Sequence, residues 1–263
     1  MKSSRRDFLK TAGVSALTLI LPSALIGPSP LAAVSVPDRK SSGLVDPSTA
    51  LQAKRWAMAV DTTKCTDGCT DCIDACHQAH NVPVTINPRH EIKWIWREDF
   101  ANIFHEENHS YLPETVSSIR PLVLCNHCAN PPCVRVCPTK ATFQRPDGIV
   151  MMDYHRCIGC RFCMAGCPYG ARSMNYRDPR PQIRKITVDY PTRTKGVVEK
   201  CNFCEERLAR GIMPACVMAC KKKALIFGDL ENSQSEIRTV VQNRFTLRRR
   251  PLLGTEPQIY YIL

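Results

Sequence analysis

The chain has 263 residues, enough for one large domain or two of ordinary size, and its 44% of apolar residues allows a buried core. Its 20 prolines and its aromatic content of 7% favour short elements and much loop. The formal net charge of +12 could indicate a nucleic-acid or anionic-membrane partner. The 16 cysteines allow disulfides, zinc sites or iron–sulfur clusters, and their spacing decides between these.

The N-terminal residues 1–35 have the order of an export signal. Arg5 and Arg6 lie in a charged head, an apolar stretch follows over 11–26, and small residues come next. Paired arginines in this position are typical of the twin-arginine (Tat) class. An anchor helix is the alternative, but the stretch is short for a membrane span and Pro22 interrupts it. No other apolar run approaches spanning length, which excludes an integral membrane protein. We expect a soluble or peripheral protein in the periplasm or on the outer face of the cytoplasmic membrane.

The cysteines fall into four groups of four. Group one is Cys65, Cys69, Cys72 and Cys76; group two is Cys125, Cys128, Cys133 and Cys137; group three is Cys157, Cys160, Cys163 and Cys167; group four is Cys201, Cys204, Cys216 and Cys220. Group three has the spacing C-x2-C-x2-C-x3-C-P of bacterial ferredoxins, in which closely spaced cysteines on a tight loop hold one cubane cluster. The fourth cysteine is then expected to open a helix and to reach a neighbouring cluster.

Zinc and disulfides explain this spacing less well. Structural zinc sites usually have two C-x2-C pairs with a longer interval between them, which only group four resembles on its own. A disulfide scaffold gives no reason to repeat the spacing, and Tat substrates are exported folded, often with a cofactor already inserted. The sequence therefore predicts four [4Fe–4S] clusters, with a zinc-binding structural or interaction protein as the alternative.

The positive charge has an explanation within the molecule. The signal contributes +3, from Lys2, Arg5, Arg6 and Lys10 against Asp7, and this leaves +9 of the +12. An oxidised cluster with four thiolates carries about −2, so four clusters add about −8. The mature protein with its clusters is then close to neutral, which disfavours a nucleic-acid partner.

An internal repeat relates the groups. An apolar strand and an Asp-x-x-basic-Cys segment precede both Cys65 and Cys157, and groups two and four share a Cys-Asn-x-Cys pattern. The first predicted element is a strand over 56–60, followed by a hairpin of 141–144 with 149–152 around the turn Pro146-Asp147-Gly148. A helix over 205–210, ended by Gly211, lies within group four. A strand over 225–227 is expected to pair with 56–60, and a docked strand follows over 258–263. The pattern indicates a doubled ferredoxin.

The fourth cysteine of one ferredoxin run ligates the cluster held by the other run. Groups two and three are the nearest neighbours along the chain, which favours pairing them and leaves groups one and four as the second pair. The repeat by itself would equally allow one with two and three with four.

Over 56–230 the chain resembles the four-cluster ferredoxin-like subunits of polysulfide, nitrite and dimethyl sulfoxide reductases. The segments DGCTDCIDACH (67–77), EIKWIW (91–96), CPYGARS (167–173) and RDPRP (177–181) more closely resemble the DsrO family. These are exported iron–sulfur subunits of the DsrMKJOP complexes of sulfur-metabolising prokaryotes. In the wider family, groups one and four share two clusters and groups two and three share the others.

The resemblance implies four ligand sets, which we name sites 1 to 4. Site 1 is Cys65, Cys69, Cys72 and Cys220; site 2 is Cys201, Cys204, Cys216 and Cys76; site 3 is Cys125, Cys128, Cys133 and Cys167; site 4 is Cys157, Cys160, Cys163 and Cys137. The expected divisions are a signal over 1–35, a linker over 36–54, one module over 55–120 with 197–231, a second over 121–196, and an extension over 232–263.

The expected fold is α+β and loop-rich, with duplicated bis-[4Fe–4S] ferredoxin-like modules and short hairpins. The resemblance implies a single-electron relay between a quinone-linked polytopic membrane subunit of the NrfD type and other redox subunits, with a multihaem cytochrome c as a further partner. The alternative within the family is a subunit of a polysulfide, nitrite or dimethyl sulfoxide reductase. No nucleophile–base pair, open metal site or nucleotide loop is evident, so the chain is not expected to catalyse a reaction by itself.

Several aromatic residues lie between groups one and two. Trp94, Trp96, Phe100 and Phe104 are either a partner interface or a cover that keeps water from the clusters, and the sequence leaves both open. His127, between two cysteines, is expected to pack near a cluster rather than to ligate it.

Overall fold

The computed structural model describes residues 47–85 and 87–263, so the predicted signal with Arg5 and Arg6 and most of the linker lie outside the described residues. The strands are β1 (Trp56–Asp61), β2 (Ile95–Arg97), β3 (Leu122–Leu124), β4 (Thr142–Gln144), β5 (Val150–Met152), β6 (Ser173–Met174), β7 (Val198–Glu199), β8 (Leu225–Asp229) and β9 (Ile259–Ile262). The α-helices are α1 (Asp71–Ala79), α2 (Phe100–Ile103), α3 (Glu114–Ser117), α4 (Pro132–Arg135), α5 (Phe162–Ala165), α6 (Glu205–Leu208), α7 (Ala215–Ala219) and α8 (Glu236–Asn243). Single 3₁₀ turns lie at Pro47–Thr49, Pro88–His90, Arg180–Gln182 and Pro251–Leu253.

β1 is the central strand of a three-stranded sheet, antiparallel to β8 and parallel to β9. In this register Met58 is opposite Phe227 and Ala59 is opposite Tyr260. Alternate side chains of β1 point to opposite faces of the sheet, and all of them are buried because both faces are covered. Met58 lies in the larger core with many of the cysteines, and Ala59 packs in a smaller cluster with Ile237 of α8. The predicted pairing of the first strand with the strand after group four is confirmed, as is the strand at the tail.

Three antiparallel pairs of short strands complete the sheets: β2 with β3, β4 with β5, and β6 with β7. The β4–β5 pair is the predicted hairpin, and Gly148 in its turn has a φ of +86°, a conformation that favours glycine. The predicted helix within group four forms as α6, and Gly211 follows it with a φ of +74°. The β2–β3 and β6–β7 pairs join segments far apart in sequence and were not predicted.

The prediction that the fourth cysteine opens a helix is wrong. In every group the third cysteine is the second residue of a helix: Cys72 in α1, Cys133 in α4, Cys163 in α5 and Cys216 in α7. The fourth cysteine comes four residues later, within α1 or just past the end of the other three helices. Four residues are slightly more than one helical turn and rise by roughly 6 Å. The helix therefore separates the third sulfur from the fourth along its axis.

The described residues form a mixed α and β arrangement of short helices and small sheets joined by long loops, in agreement with the predicted α+β, loop-rich class. Within 47–85 and 87–263, no helix combines the length and the apolar character needed to cross a membrane.

Candidate metal centres

All 16 cysteines lie in the described residues and each is a free thiol. Most are buried or half-buried, and thiols of different groups come together in the interior. Within the described residues, none of them is paired in a disulfide.

Three cysteines of group one lie beside Cys220 of group four. The pKa of Cys72 is raised to about 12, first by burial and then by the neighbouring thiolates of Cys65, Cys220 and Cys69. Arg97 of β2 donates a hydrogen bond from Nη2 to Cys65 Sγ at 3.2 Å. The four cysteines that were predicted to form site 1 are thus brought together.

The fourth cysteine of group one lies beside the other three cysteines of group four. Burial, followed by the thiolates of Cys204, Cys216 and Cys201, raises the pKa of Cys76 well above its ordinary value. The backbone N–H of Ala215 donates to Cys204 Sγ at 3.4 Å. These are the four cysteines of predicted site 2.

The fourth cysteine of group three likewise lies beside the other three cysteines of group two. The pKa of Cys128 is raised to about 12, mainly by burial and by Cys125, with smaller effects from Cys133 and Cys167. A cavity lined by these four cysteines corresponds to predicted site 3.

A second cavity is lined by the remaining cysteine of group two and by the loop of group three. Its lining includes Cys137, Cys157, Cys160 and Cys163, which are the four cysteines of predicted site 4. Cys160 is the one exposed thiol among the 16. Site 4 is therefore close to the surface, whereas all four cysteines of site 2 are buried.

Successive sites are neighbours. The thiols of different sites that lie near enough to raise one another's pKa include Cys72 with Cys216, Cys125 with Cys201, and Cys133 with Cys163. These pairs relate site 1 to site 2, site 2 to site 3, and site 3 to site 4. The order of the sites in space is thus 1, 2, 3, 4.

The turn after the fourth cysteine presents backbone donors to sulfur. Lys140, Gly170 and Lys223 each stand three residues after a fourth cysteine, and their φ values are 54°, 64° and 51°. This left-handed conformation reverses the direction of the backbone, so that the N–H of Ala224 donates to Cys220 Sγ at 3.2 Å and that of Thr142 to Cys137 Sγ at 3.4 Å. Donors of this kind favour the charged thiolate over the thiol.

Two buried basic side chains near the sulfurs were missed by the sequence analysis. Arg172 is 5% exposed and donates from Nη2 to Cys133 Sγ at 3.1 Å. Lys200 is 1% exposed and donates from Nζ to the carbonyl oxygens of Val150 and Cys201. The one signal for Lys200 is its place directly before Cys201, like the basic residues before groups one and three. Arg172 lies in the CPYGARS segment (167–173), but its residue type and spacing gave no sign that it would be buried.

The donor set fits metal clusters bound by thiolates. Buried thiols that repel one another when charged stay protonated unless a cation holds them as thiolates. Buried Arg172 requires negative partners, and the charges that face it most closely are the thiolates of Cys133, Cys163 and Cys125. Sulfur-only coordination selects soft metals, which means zinc or iron–sulfur clusters. The backbone donors to sulfur and the close succession of four sites favour iron–sulfur clusters.

The aromatic residues between groups one and two are mostly internal. Trp94, Phe100 and Phe104 are buried, whereas Trp96 is half-buried. For the first three, the packing interpretation is correct and the interface interpretation is wrong. His127 stacks on Phe203 with 3.7 Å between ring centroids, and its Nδ1 accepts a hydrogen bond from the backbone, as expected for packing.

Comparison with known proteins is consistent with this geometry. The model of the 4Fe-4S dicluster domain matches residues 119–187 and 186–230. The chain is 37% identical to the Hdr-like menaquinol oxidoreductase iron-sulfur subunit 1 of Archaeoglobus fulgidus, over 98% of this chain and 97% of the relative. It is 35% identical to the menaquinone reductase iron-sulfur cluster-binding subunit of Nitratidesulfovibrio vulgaris, over 79% and 88%. It is 36% identical to the B subunit of polysulfide reductase from Wolinella succinogenes, over 80% and 95%.

Proposed function

Because this protein belongs to the family of iron–sulfur subunits of oxidoreductases that carry 4Fe-4S dicluster domains, we propose that it relays single electrons through four [4Fe–4S] clusters held at sites 1 to 4. A thiolate-bound [4Fe–4S] cluster supplies one-electron redox chemistry at a potential that the surrounding protein adjusts. The protein's part is to hold the ligands, to fix the order of the sites, and to exclude water.

The observation that carries the proposal is the succession of four cysteine sets in the order 1, 2, 3, 4. A protein that uses metal only to stabilise its fold has no need to place four sites in contact. A relay needs this arrangement, because an electron must pass from each site to the next without leaving the protein.

We propose the ligand sets as predicted, with the fourth cysteine of each group serving the site held by the partner group. The neighbours of Cys76 and Cys128 support this assignment. We also propose two ferredoxin-like modules. Support comes from β8, which returns from group four to pair with β1 before group one, and from the β4–β5 hairpin between groups two and three.

The chain itself is proposed to have no substrate site and to serve as the electron-transfer subunit of a complex. Partners are a quinone-linked polytopic membrane subunit of the NrfD type and, in a DsrMKJOP-like complex of sulfur metabolism, a multihaem cytochrome c. The relatives named for menaquinol, menaquinone and polysulfide support the quinone link and the sulfur chemistry. Tat export to the periplasmic face is part of the proposal and rests on Arg5 and Arg6.

Metal and sulfide analysis of the full-length protein, purified without oxygen, tests the cofactor proposal. About sixteen irons and a matching amount of acid-labile sulfide are expected per molecule, four of each per cluster. The protein should be brown and should bleach on reduction. Stoichiometric zinc in a colourless protein would contradict the proposal and favour the zinc-binding alternative, to which the two separated cysteine pairs of group four are best suited.

Co-purification tests the proposed partners. The protein should be isolated from membranes in mild detergent together with a polytopic membrane protein. Quantitative recovery from the soluble fraction without partners would contradict membrane association and leave the cofactor proposal intact.

A further inference from the structure

Arg172 lies between two of the cysteine sites. Its Nη2 donates to Cys133 Sγ of site 3 at 3.1 Å. Cys163 of site 4 lies in the same buried cluster as Cys133. Burial raises the pKa of the Cys163 thiol, and the nearby charge of Arg172 opposes that rise. A further contact anchors the side chain, because Nη1 donates to Thr142 Oγ1 of β4 at 3.1 Å.

The charge of Arg172 is permanent and has thiolates as its main partners. A guanidinium stays protonated in proteins, so its charge does not depend on pH. Among the described residues no carboxylate forms an ion pair with Arg172, and the groups that most favour its charged form are Cys133, Cys163 and Cys125. A charge buried without a carboxylate is costly unless other anions surround it. Here those anions are the sulfurs of two neighbouring sites.

We propose that Arg172 raises the reduction potentials of sites 3 and 4 together, by holding one permanent positive charge between them. This inference rests on the proposed function. When one electron passes from a donor site to its neighbour, the acceptor gains one negative charge, the donor loses one, and no bond or proton needs to change. A nearby cation stabilises the more negative, reduced state of whichever site holds the electron.

The position of Arg172 makes this a property of the pair of sites. An electron on either site interacts with the same cation, so both potentials rise and the difference between them changes little. Arg97 offers a natural contrast, since it donates to Cys65 Sγ at 3.2 Å and touches site 1 alone. Removal of Arg172 should therefore move two potentials, and removal of Arg97 should move one.

Redox titration of the full-length protein, followed by EPR, tests the proposal. The signals of sites 3 and 4 are first identified with the variants Cys128→Ser and Cys160→Ser. In Arg172→Gln the midpoint potentials of sites 3 and 4 should each fall by at least about 59 mV, which is a tenfold change in the one-electron equilibrium constant. The midpoint potentials of sites 1 and 2 should shift by less than the equivalent of a threefold change in that equilibrium constant. In Arg97→Gln only the signal of site 1 should fall.

The outcomes separate the possible failures. If the protein holds no iron, the proposed function fails. If four clusters are present but Arg172→Gln leaves either potential of sites 3 and 4 in place, only the role of Arg172 fails. If that variant does not assemble its clusters, Arg172→Lys provides the test, because it keeps the positive charge. A charge effect requires the equilibrium constants for reduction of sites 3 and 4 to stay within a factor of three of those in the natural protein. A tenfold fall in the equilibrium constant for reduction of either site in Arg172→Lys would overturn the proposal in favour of a packing role.

Discussion

Arg193 and Glu199 form a fully buried ion pair, with 2.5 Å between Nη2 and Oε2 and neither side chain exposed. The indole of Trp94 donates to the same Oε2 at 2.9 Å, and the amide of Asn175 donates to Oε1. Arg193 also donates from Nη2 to the carbonyl oxygen of Asn81 at 2.9 Å. The pair thus connects the loop after α1, which follows group one, to β7, which precedes group four.

Substitution of Arg193 by methionine should strongly destabilise the protein with its clusters. The carboxylate of Glu199 would remain buried without its cation, at a cost of about 3–5 kcal/mol. For a protein of this size, about 3 kcal/mol corresponds to a fall in Tm of roughly 10 °C. Thermal unfolding followed by circular dichroism and by the visible absorbance of the clusters measures this change.

The surface pair of Arg180 with Asp178, at 2.6 Å, is the matched control. Because both side chains are exposed, Arg180→Met should leave the Tm unchanged within error. Equal falls in the two variants would show that burial of the Arg193 pair has no special role.

Gly159, within the loop of group three, should not tolerate a side chain. Its φ is +68°, and a Cβ at this position would lie 2.3 Å from the carbonyl oxygen of Gly196. Gly159→Ala should therefore displace the loop that carries Cys157 and Cys160, and about four irons should be lost, those of site 4. Iron analysis after desalting measures the loss.

Gly170→Ala is the control for backbone conformation. Gly170 has a similar φ of +64°, but its Cβ would meet nothing within 4 Å. This variant should retain all its iron and lose only about 1–2 kcal/mol for the left-handed conformation. Loss of iron from Gly170→Ala but not from Gly159→Ala would contradict the steric argument.

The elements predicted correctly are those encoded by nearby residues. The β4–β5 hairpin follows from two apolar runs around Pro146-Asp147-Gly148, and α6 from a short segment within group four that Gly211 ends. The partnership of β1 and β8 is a long-range contact, and the internal repeat made it predictable. The four cysteine groups could be read directly, because ligand spacing is a local property.

Contacts between distant side chains could not be predicted. Arg172 meets Cys133 across 39 positions of sequence, and Arg193 meets Asn81 across 112. In each case composition offers many equivalent arginines, and burial alone distinguishes these two. The error about the fourth cysteine has a similar cause. Its spacing of four from the third allows a helix on either side, and only the folded chain shows which side is helical.

Export should depend on the paired arginines at the N-terminus, which lie outside the described residues. A folded protein loaded with clusters cannot pass through a channel that threads unfolded chains. Changing both Arg5 and Arg6 to lysine should therefore leave the loaded protein in the cytoplasm, which fractionation and iron analysis of each compartment would measure. The double substitution keeps the charge of the head, so export of this variant at the normal level would contradict a twin-arginine signal.

The last prediction concerns the exchange of cysteines between groups one and four. Cys76 stands one helical turn after Cys72 in α1, and its neighbours are the thiols of Cys201, Cys204 and Cys216. If Cys76 ligates site 2, Cys76→Ser and Cys204→Ser should alter one common EPR signal of the reduced protein. Cys69→Ser should alter a different one, because Cys69 belongs to site 1. A signal shared by Cys76→Ser and Cys69→Ser, with another altered by Cys204→Ser, would mean that each group holds its own cluster. That outcome would contradict the exchange, since a serine changes the site it ligates far more than the site next to it.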